Sequence, residues 1–165
     1  MEKVIVVLKT DEADRKNFTD AAPGAQLTFM EPENVRAEDV ADADAIIGNV
    51  DAALIGSAAK KLRWMQLQNA GTEGFCQKGV LPDGCALTNA TGAYGMAISE
   101  HMVAMLFALQ KRLDVYMAQQ NARVWKRREH MFVACGSTVL IIGTGDLGTS
   151  FAAKMKAFGC HVIGV

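Results

Sequence analysis

The sequence lacks the features that mark several large classes of proteins. Its longest apolar run, residues 102–109, is much shorter than the ~20 residues that a membrane-spanning helix needs, so we expect no membrane partner. The four cysteines include no C-x-x-C pair and have no histidine at a ligand spacing, which predicts no metal site. Residues 1–4 enter a strand-like run rather than a signal peptide, and we expect a cytoplasmic protein with reduced thiols.

An excess of basic residues is also missing. The 17 Lys and Arg are balanced by 18 Asp and Glu, for a net charge of −1, whereas a nucleic-acid-binding surface needs clustered Lys and Arg. The one basic cluster, Arg123 with residues 126–128, is interrupted by Trp125, and we interpret it as a solvated helix end. We therefore expect no nucleic-acid partner.

Strand-like and helical patterns alternate through the first ninety residues. Half of the 165 residues are hydrophobic, which is enough to bury a core. Strands separated by helical segments of this length predict an α/β fold, with a parallel sheet covered by helices. The predicted strands are residues 4–8, 26–30, 45–48, 62–67 and 86–89.

The end of the chain contains its most informative motif. The β-branched run 138–142 leads directly into residues 143–148, a G-x-G-x-x-G sequence. A helical pattern follows, with Leu147, Phe151, Met155 and Phe158 on one side, and a second strand begins at His161. Strand, glycine turn, helix and strand in this order predict a dinucleotide-binding unit, although a glycine-rich turn that binds nothing is the alternative.

Each glycine of the motif has its own expected role. Gly143 permits a tight turn, Gly145 lets a pyrophosphate approach the backbone, and Gly148 lets the helix pack close to the strand. The N–H groups around Asp146 and Leu147 would face the phosphates at the positive end of the helix dipole. Asp146 is interpreted as an acid of the first helical turn, since its charge has the wrong sign for a phosphate ligand. The predicted cofactor-binding residues are Gly143, Thr144, Gly145, Asp146, Leu147 and Gly148.

A second candidate site follows the fourth strand. In open α/β sheets ligands collect at the carboxyl ends of the strands, and a loop of small residues there can turn several N–H groups towards one anion. From the loop residues alone, an ordinary turn is favoured over an anion site. After the next strand, Asn89 is predicted to order its loop through side-chain hydrogen bonds. The loop residues of this candidate site are Asn69, Ala70, Gly71 and Thr72.

The longest helical pattern covers residues 96–120, and the domain boundary is predicted just before it, between residues 1–95 and 96–165. Its first part is apolar nearly all round, which predicts a helix between two domains or two subunits. Glu100 and His101 are adjacent, so their side chains point about 100° apart and form a poor acid–base pair. We expect Glu100 to serve the helix N-terminus and His101 to be packed or hydrogen-bonded. No catalytic residue is assigned.

Together these segments resemble the D-isomer-specific 2-hydroxyacid dehydrogenases, the family that includes phosphoglycerate, glycerate and D-lactate dehydrogenases. The resemblance is carried, in the same order, by residues 69–72, by residues 88–92 with 98–101, and by residues 140–148. It spans nearly the whole chain. Two positions differ from the family pattern, since Glu73 stands where Asp is more common and Ser99 where Ala is common.

The resemblance implies a flavodoxin-like parallel-sheet substrate domain, residues 1–95, followed by the first βαβ part of a Rossmann NAD-binding domain, residues 96–165. Residues 69–72 would hold the carboxylate of a 2-hydroxy or 2-oxo acid, and the glycine motif would hold NAD, with NADP also open. The helix from Met96 would take part in a homodimer. The Arg, Glu and His of the family's hydride transfer lie beyond Val165, so we expect a truncated chain that is inactive alone.

Two alternatives remain open from the sequence. The chain could act as a non-enzymatic dimerisation or ligand-binding short form, in which case the strands at Val139 and Val162 would leave open sheet edges. It could also come from a neighbouring two-domain NAD enzyme of the alanine dehydrogenase or adenosylhomocysteinase type. An acidic residue or an Arg after the second strand would separate NAD from NADP specificity.

Overall fold

The computed structural model describes residues 1–127 and 130–165. The chain divides into two compact units, Met1–Thr91 and Gly92–Val165. Every described strand pairs in parallel within its own unit, so the prediction of a parallel α/β fold is confirmed. Arg128 of the basic cluster lies outside the described residues.

The first unit is built on a five-stranded parallel sheet. Its strands are β1 (Lys3–Val7), β2 (Gln26–Phe29), β3 (Ala45–Gly48), β4 (Trp64–Gln66) and β5 (Ala86–Thr88). In space they are ordered β2-β1-β3-β4-β5. Because the strand order reverses between β1 and β3, the carboxyl ends of these two strands form the topological switch point of the sheet.

Three short or medium helices connect these strands. They are α1 (Glu12–Ala21), α2 (Ala37–Ala41) and α3 (Ala52–Ala58). The helical segment between β2 and β3 consists of two pieces, a single 3-10 turn (Pro32–Asn34) and α2, because Val35 and Arg36 between them adopt extended backbone angles. Asp51 begins α3 as its N-cap and accepts a hydrogen bond from the N–H of Leu54 at 3.0 Å.

The core of the first unit lies against both faces of the central strands. Complete burial of a large aliphatic side chain contributes about 1.5–3 kcal/mol, so a few such residues account for much of the stability of this unit. The fully buried large residues are Val6, Val7, Val40, Ile46, Ile55, Met65 and Leu67. All but Val40 and Ile55 lie on β1, β3 and β4 or directly after β4, and these central strands therefore carry the hydrophobic core.

The second unit contains three helices and a two-stranded parallel sheet. Its elements are α4 (Gly95–Gln110), α5 (Leu113–Asn121), β6 (Thr138–Ile141), α6 (Asp146–Ala157) and β7 (His161–Gly164). Phe151 and Met155 of α6 are buried against Ile141 of β6, as their helical spacing predicts. Leu147 and Phe158, at the two ends of the same apolar side, are 39 % and 43 % exposed, so burial is limited to the middle of the helix. The strand–turn–helix–strand order expected for residues 138–165 is confirmed.

The prediction of one helix over residues 96–120 is wrong. The helix α4 ends at Gln110, and α5 begins only at Leu113. Between them Arg112 adopts a φ of +53°, a left-handed conformation that interrupts the helical hydrogen bonds. No glycine or proline occurs between residues 96 and 120, so the sequence contains no signal for this break.

Two expectations for the start of α4 are also wrong. Glu100 lies in the second turn of the helix, too far along to serve its N-terminus, and the exposed side chain of His101 makes no hydrogen bond among the described residues. Several apolar side chains of α4 are exposed as well, including Met96 (73 % exposed) and Leu109 (66 %). No described helix is both long and apolar enough to span a membrane.

Candidate functional site

The glycine motif forms the turn between β6 and α6. Gly143 has a φ of +93°, a left-handed conformation that favours glycine. An alanine methyl group at Gly148 would lie 2.0 Å from the carbonyl oxygen of Gly143, so glycine is required for α6 to start this close to the turn. At Gly145, by contrast, no atom of the described residues lies within 4 Å of the same position. The turn is therefore tight at two glycines and open at the third.

Hydrogen bonds hold this turn in place while leaving helical N–H groups unused. Thr149 donates its hydroxyl to the carbonyl of Thr144 and its N–H to the carbonyl of Gly145, both at 2.9 Å. The first N–H groups of any α-helix have no acceptor within the helix, which applies here to Asp146 and Leu147. An open backbone and free amides at the positive end of the helix dipole fit a pyrophosphate group.

The candidate loop after β4 is held by a side chain that the motif-based prediction missed. Asn49 follows β3, and its Nδ2 donates to Oδ1 of Asn69 at 2.7 Å. The Oδ1 of Asn49 accepts the N–H of Gln68 at 3.0 Å. Since Asn49 lies at the topological switch point, where ligands of open α/β sheets bind, we add it to the candidate site. The signal in the sequence was its position directly after a predicted strand.

The other side of the same loop is held from the end of β5. Asn89 donates its Nδ2 to the carbonyl of Ala70 at 2.7 Å and accepts the N–H of Thr91 at 3.2 Å. The N–H of Ala90 donates to the carbonyl of Asn69 at 3.0 Å. The prediction that Asn89 orders its loop is confirmed. The small-residue loop is thus fixed from both neighbouring strands.

An acidic side chain lies directly over this loop. An alanine methyl group at Gly71 would lie 2.1 Å from Oε2 of Glu73, so the Glu73 carboxylate packs on the backbone of Gly71. A negative charge there opposes the approach of an anion. Glu73 is exposed, and its side chain can turn away without opening a cavity. For an anion to contact the backbone of Gly71, the Glu73 carboxylate therefore has to move away from it.

A charged cluster lies at the opposite edge of the same sheet. The carboxylate of Asp42 accepts hydrogen bonds from Lys3 and, at 2.5 Å, from Lys61. These two bonds lower the pKa of Asp42 to about 2. Lys3 begins β1, while Asp42 and Lys61 precede β3 and β4. Because this is the amino-terminal edge of the strands, we interpret the cluster as structural and not as part of a ligand site.

Residues 103–165 match the family described as D-isomer specific 2-hydroxyacid dehydrogenase, NAD binding domain. The prediction of NAD as the cofactor type is confirmed by this match. Among curated proteins, the chain is 30% identical over 129 residues to D-3-phosphoglycerate dehydrogenase of Mycobacterium leprae, covering 75% of the chain and 24% of that protein. It is 27% identical over 139 residues to the chloroplastic D-3-phosphoglycerate dehydrogenase 2 of Arabidopsis thaliana, covering 81% of the chain and 22% of that protein.

Solved structures extend the similarity to nearly every residue. A D-isomer specific 2-hydroxyacid dehydrogenase family protein from Aeromonas salmonicida superimposes with a TM-score of 0.82 at 26% identity, covering 99% of this chain and 53% of that one. D-lactate dehydrogenase from Aquifex aeolicus, complexed with NAD and lactic acid, shares the fold with a TM-score of 0.79 at 19% identity, covering 99% of this chain and 50% of that one.

The chain thus spans about half the length of these solved relatives and 24% or less of the two curated ones. The motifs, the matched NAD-binding segment and the fold nevertheless all indicate one family. The chain belongs to the D-isomer-specific 2-hydroxyacid dehydrogenases.

Proposed function

We propose that this chain supplies a substrate-binding domain, residues 1–95, and the first part of the NAD-binding domain, residues 96–165, of an oxidoreductase. Its reaction is hydride transfer between a nicotinamide cofactor and a D-2-hydroxy acid or 2-oxo acid. The observation that carries the proposal is the open backbone at Gly145 beside the free amides of α6, within the segment that matches the family's NAD-binding domain. The four cysteines are free thiols, which supports a cytoplasmic location.

We assign the pyrophosphate of NAD to the glycine turn. Gly143 shapes the turn, Gly148 brings α6 close to it, and the N–H groups of Asp146 and Leu147 bind the phosphate oxygens. Thr144 and Gly145 contribute backbone to the same contact. NAD, when bound, supplies the hydride acceptor or donor, and this chain positions the diphosphate that anchors it.

We assign the carboxylate of the substrate acid to residues 69–72. Asn49 and Asn89 hold this loop from both sides, so its backbone is shaped before the substrate arrives. The relatives that it resembles are named for different acids, phosphoglycerate and lactate. We therefore propose the class of 2-hydroxy and 2-oxo acids and no single member of it.

We expect the 165-residue chain to bind NAD but to catalyse no hydride transfer. Among the described residues no hydrogen bond or ion pair joins a histidine to a carboxylate, and His101, His130 and His161 are exposed. NAD binding is measured by NMR titration, and turnover by NADH absorbance with glyoxylate and pyruvate at high chain concentration. A chain that shows no saturable NAD binding contradicts the proposed cofactor site, and sustained NADH oxidation contradicts the proposed lack of catalytic groups.

We further propose that two copies of the chain associate through α4 and α5. Exposed apolar side chains continue from α4 onto α5, where Leu113 and Met117 are 45 % and 64 % exposed. Apolar area of this kind is stabilised by burial in an interface. Sedimentation velocity is expected to show a dimer that Met117→Lys shifts towards monomer, while Lys16→Met on α1 leaves the dimer unchanged. A monomer at all concentrations would refute the proposed association.

A further inference from the structure

An acidic residue inside a phosphate-binding turn is electrostatically unfavourable. Asp146 is the first residue of α6, and its N–H belongs to the group that the proposed function assigns to the pyrophosphate. Its carboxylate carries a negative charge on the same residue, so the position of that carboxylate affects the affinity for phosphate.

The structure shows where this carboxylate lies. An alanine methyl group at Gly95 would lie 2.6 Å from both Oδ1 and Oδ2 of Asp146, so the carboxylate packs directly on the backbone of Gly95. Gly95 is buried and is the first residue of α4. The first turn of α4, residues 95–98, has no acidic residue of its own. The Asp146 carboxylate therefore supplies negative charge at the positive end of the α4 dipole.

One turn further along α4 and two turns further along α6, the same two helices share a second polar contact. Lys154 of α6 donates from Nζ to Oγ of Ser99 at 2.8 Å. Ser99 is completely buried, and its hydroxyl donates to the carbonyl of Gly95 at 2.5 Å. This contact belongs to the same helix interface and includes no atom of Asp146.

We propose that Asp146 is a specificity-determining residue of the cofactor turn, because its carboxylate is held on Gly95 and thereby kept away from the bound phosphates. The inference rests on the proposed function of the turn. The affinity for phosphate-bearing ligands then depends on the space beside Gly95 that the Asp146 carboxylate occupies. Only glycine at residue 95 leaves this space, since any Cβ there displaces the carboxylate.

The variant Gly95→Ala tests this dependence. Alanine favours the helical conformation over glycine by about 1 kcal/mol, so α4 itself is not weakened, and the atoms that must move are the ends of a flexible side chain. We expect roughly fivefold weaker binding of NAD and ADP, because a displaced carboxylate of full charge lies nearer the phosphates. Binding of adenosine, which has no phosphate, is expected to stay unchanged.

The role of charge is separated from that of shape by a second substitution. In Asp146→Asn the side chain keeps its size and loses its charge, so Gly95→Ala is expected to have no further effect on NAD or ADP binding in that background. Ser99→Ala is the matched control. It removes the Lys154 bond from the same interface, and we expect a lower melting temperature with an unchanged ratio of ADP to adenosine affinity.

The measurements are NMR titrations of the full chain with NAD, ADP and adenosine, together with thermal melts. The inference is supported if Gly95→Ala lowers the affinity for NAD and ADP only, and if this loss of affinity disappears when Asp146→Asn is also present. It is overturned if Gly95→Ala lowers the affinity equally with and without Asp146→Asn, or equally for adenosine. It is also overturned if Ser99→Ala changes the ratio of ADP to adenosine affinity. If the unmodified chain binds NAD but Gly95→Ala has the same effect on NAD affinity with and without Asp146→Asn, only this inference fails. If the unmodified chain binds no NAD, the proposed function itself fails.

Discussion

Gly145→Ala is expected to weaken NAD binding at least about tenfold while the free protein stays folded. Gly145 has a φ of −71°, which any residue adopts, and no described atom lies within 4 Å of the position that a methyl group would take. The methyl group therefore fits the free protein and occupies the face that we assign to the pyrophosphate. Its cost to the folded state is that of an N-cap substitution, about 1 kcal/mol or less.

The matched comparison is Gly148→Ala in the same turn. There the methyl group would lie 2.0 Å from a backbone oxygen of Gly143, so α6 must move away and the second unit loses stability. Thermal melts and NMR titration with NAD, applied to both variants, separate the two effects. We expect Gly145→Ala to bind NAD more weakly with a nearly unchanged melting temperature. We expect Gly148→Ala to bind NAD more weakly and also to melt at a lower temperature. Wild-type affinity in Gly145→Ala would show that no ligand approaches the backbone at this glycine.

The conformation of the glycine turn could be predicted from the sequence, because the requirement for glycine at each tight position comes from atoms nearby in the chain. The positive φ of Gly143 and the close approach at Gly148 involve atoms of the motif itself or of the adjoining strand. The motif and its flanking strands therefore carry enough information. The same holds for the five strands of the first unit, whose apolar runs predict them to within a few residues.

Contacts between distant segments could not be predicted in this way. Asn49 joins the candidate loop through Asn69, twenty residues along the chain, and this pairing depends on β3 and β4 being neighbours in the sheet. The Asp146 carboxylate contacts Gly95 only because α4 packs on α6. The break at Arg112 could not be predicted for a different reason, since no glycine or proline marks it in the sequence.

Gly48→Ala is expected to have the largest effect on stability. Gly48 ends β3 with a φ of +115°, which L-residues rarely adopt, and a methyl group there would lie 2.1 Å from the carbonyl oxygen of Val7 on β1. Both strands belong to the buried centre of the sheet, so the oxygen cannot move without disturbing the core. We expect the free energy of unfolding of the first unit to fall by about 3–4 kcal/mol.

Thermal unfolding followed by circular dichroism measures this loss, which corresponds to a decrease in melting temperature of more than about 10 °C for a unit of this size. Gly24→Ala is the control, since no described atom lies within 4 Å of its added methyl group and its φ is not positive. It is expected to melt within a few degrees of the unmodified chain.

Because Gly48 directly precedes Asn49, the hydrogen exchange of the Gln68 amide should accelerate in Gly48→Ala, since that amide donates to Asn49. An unchanged melting temperature would mean that β3 does not approach β1 as closely as this glycine requires, and the placement of Asn49 at the switch point would then be wrong.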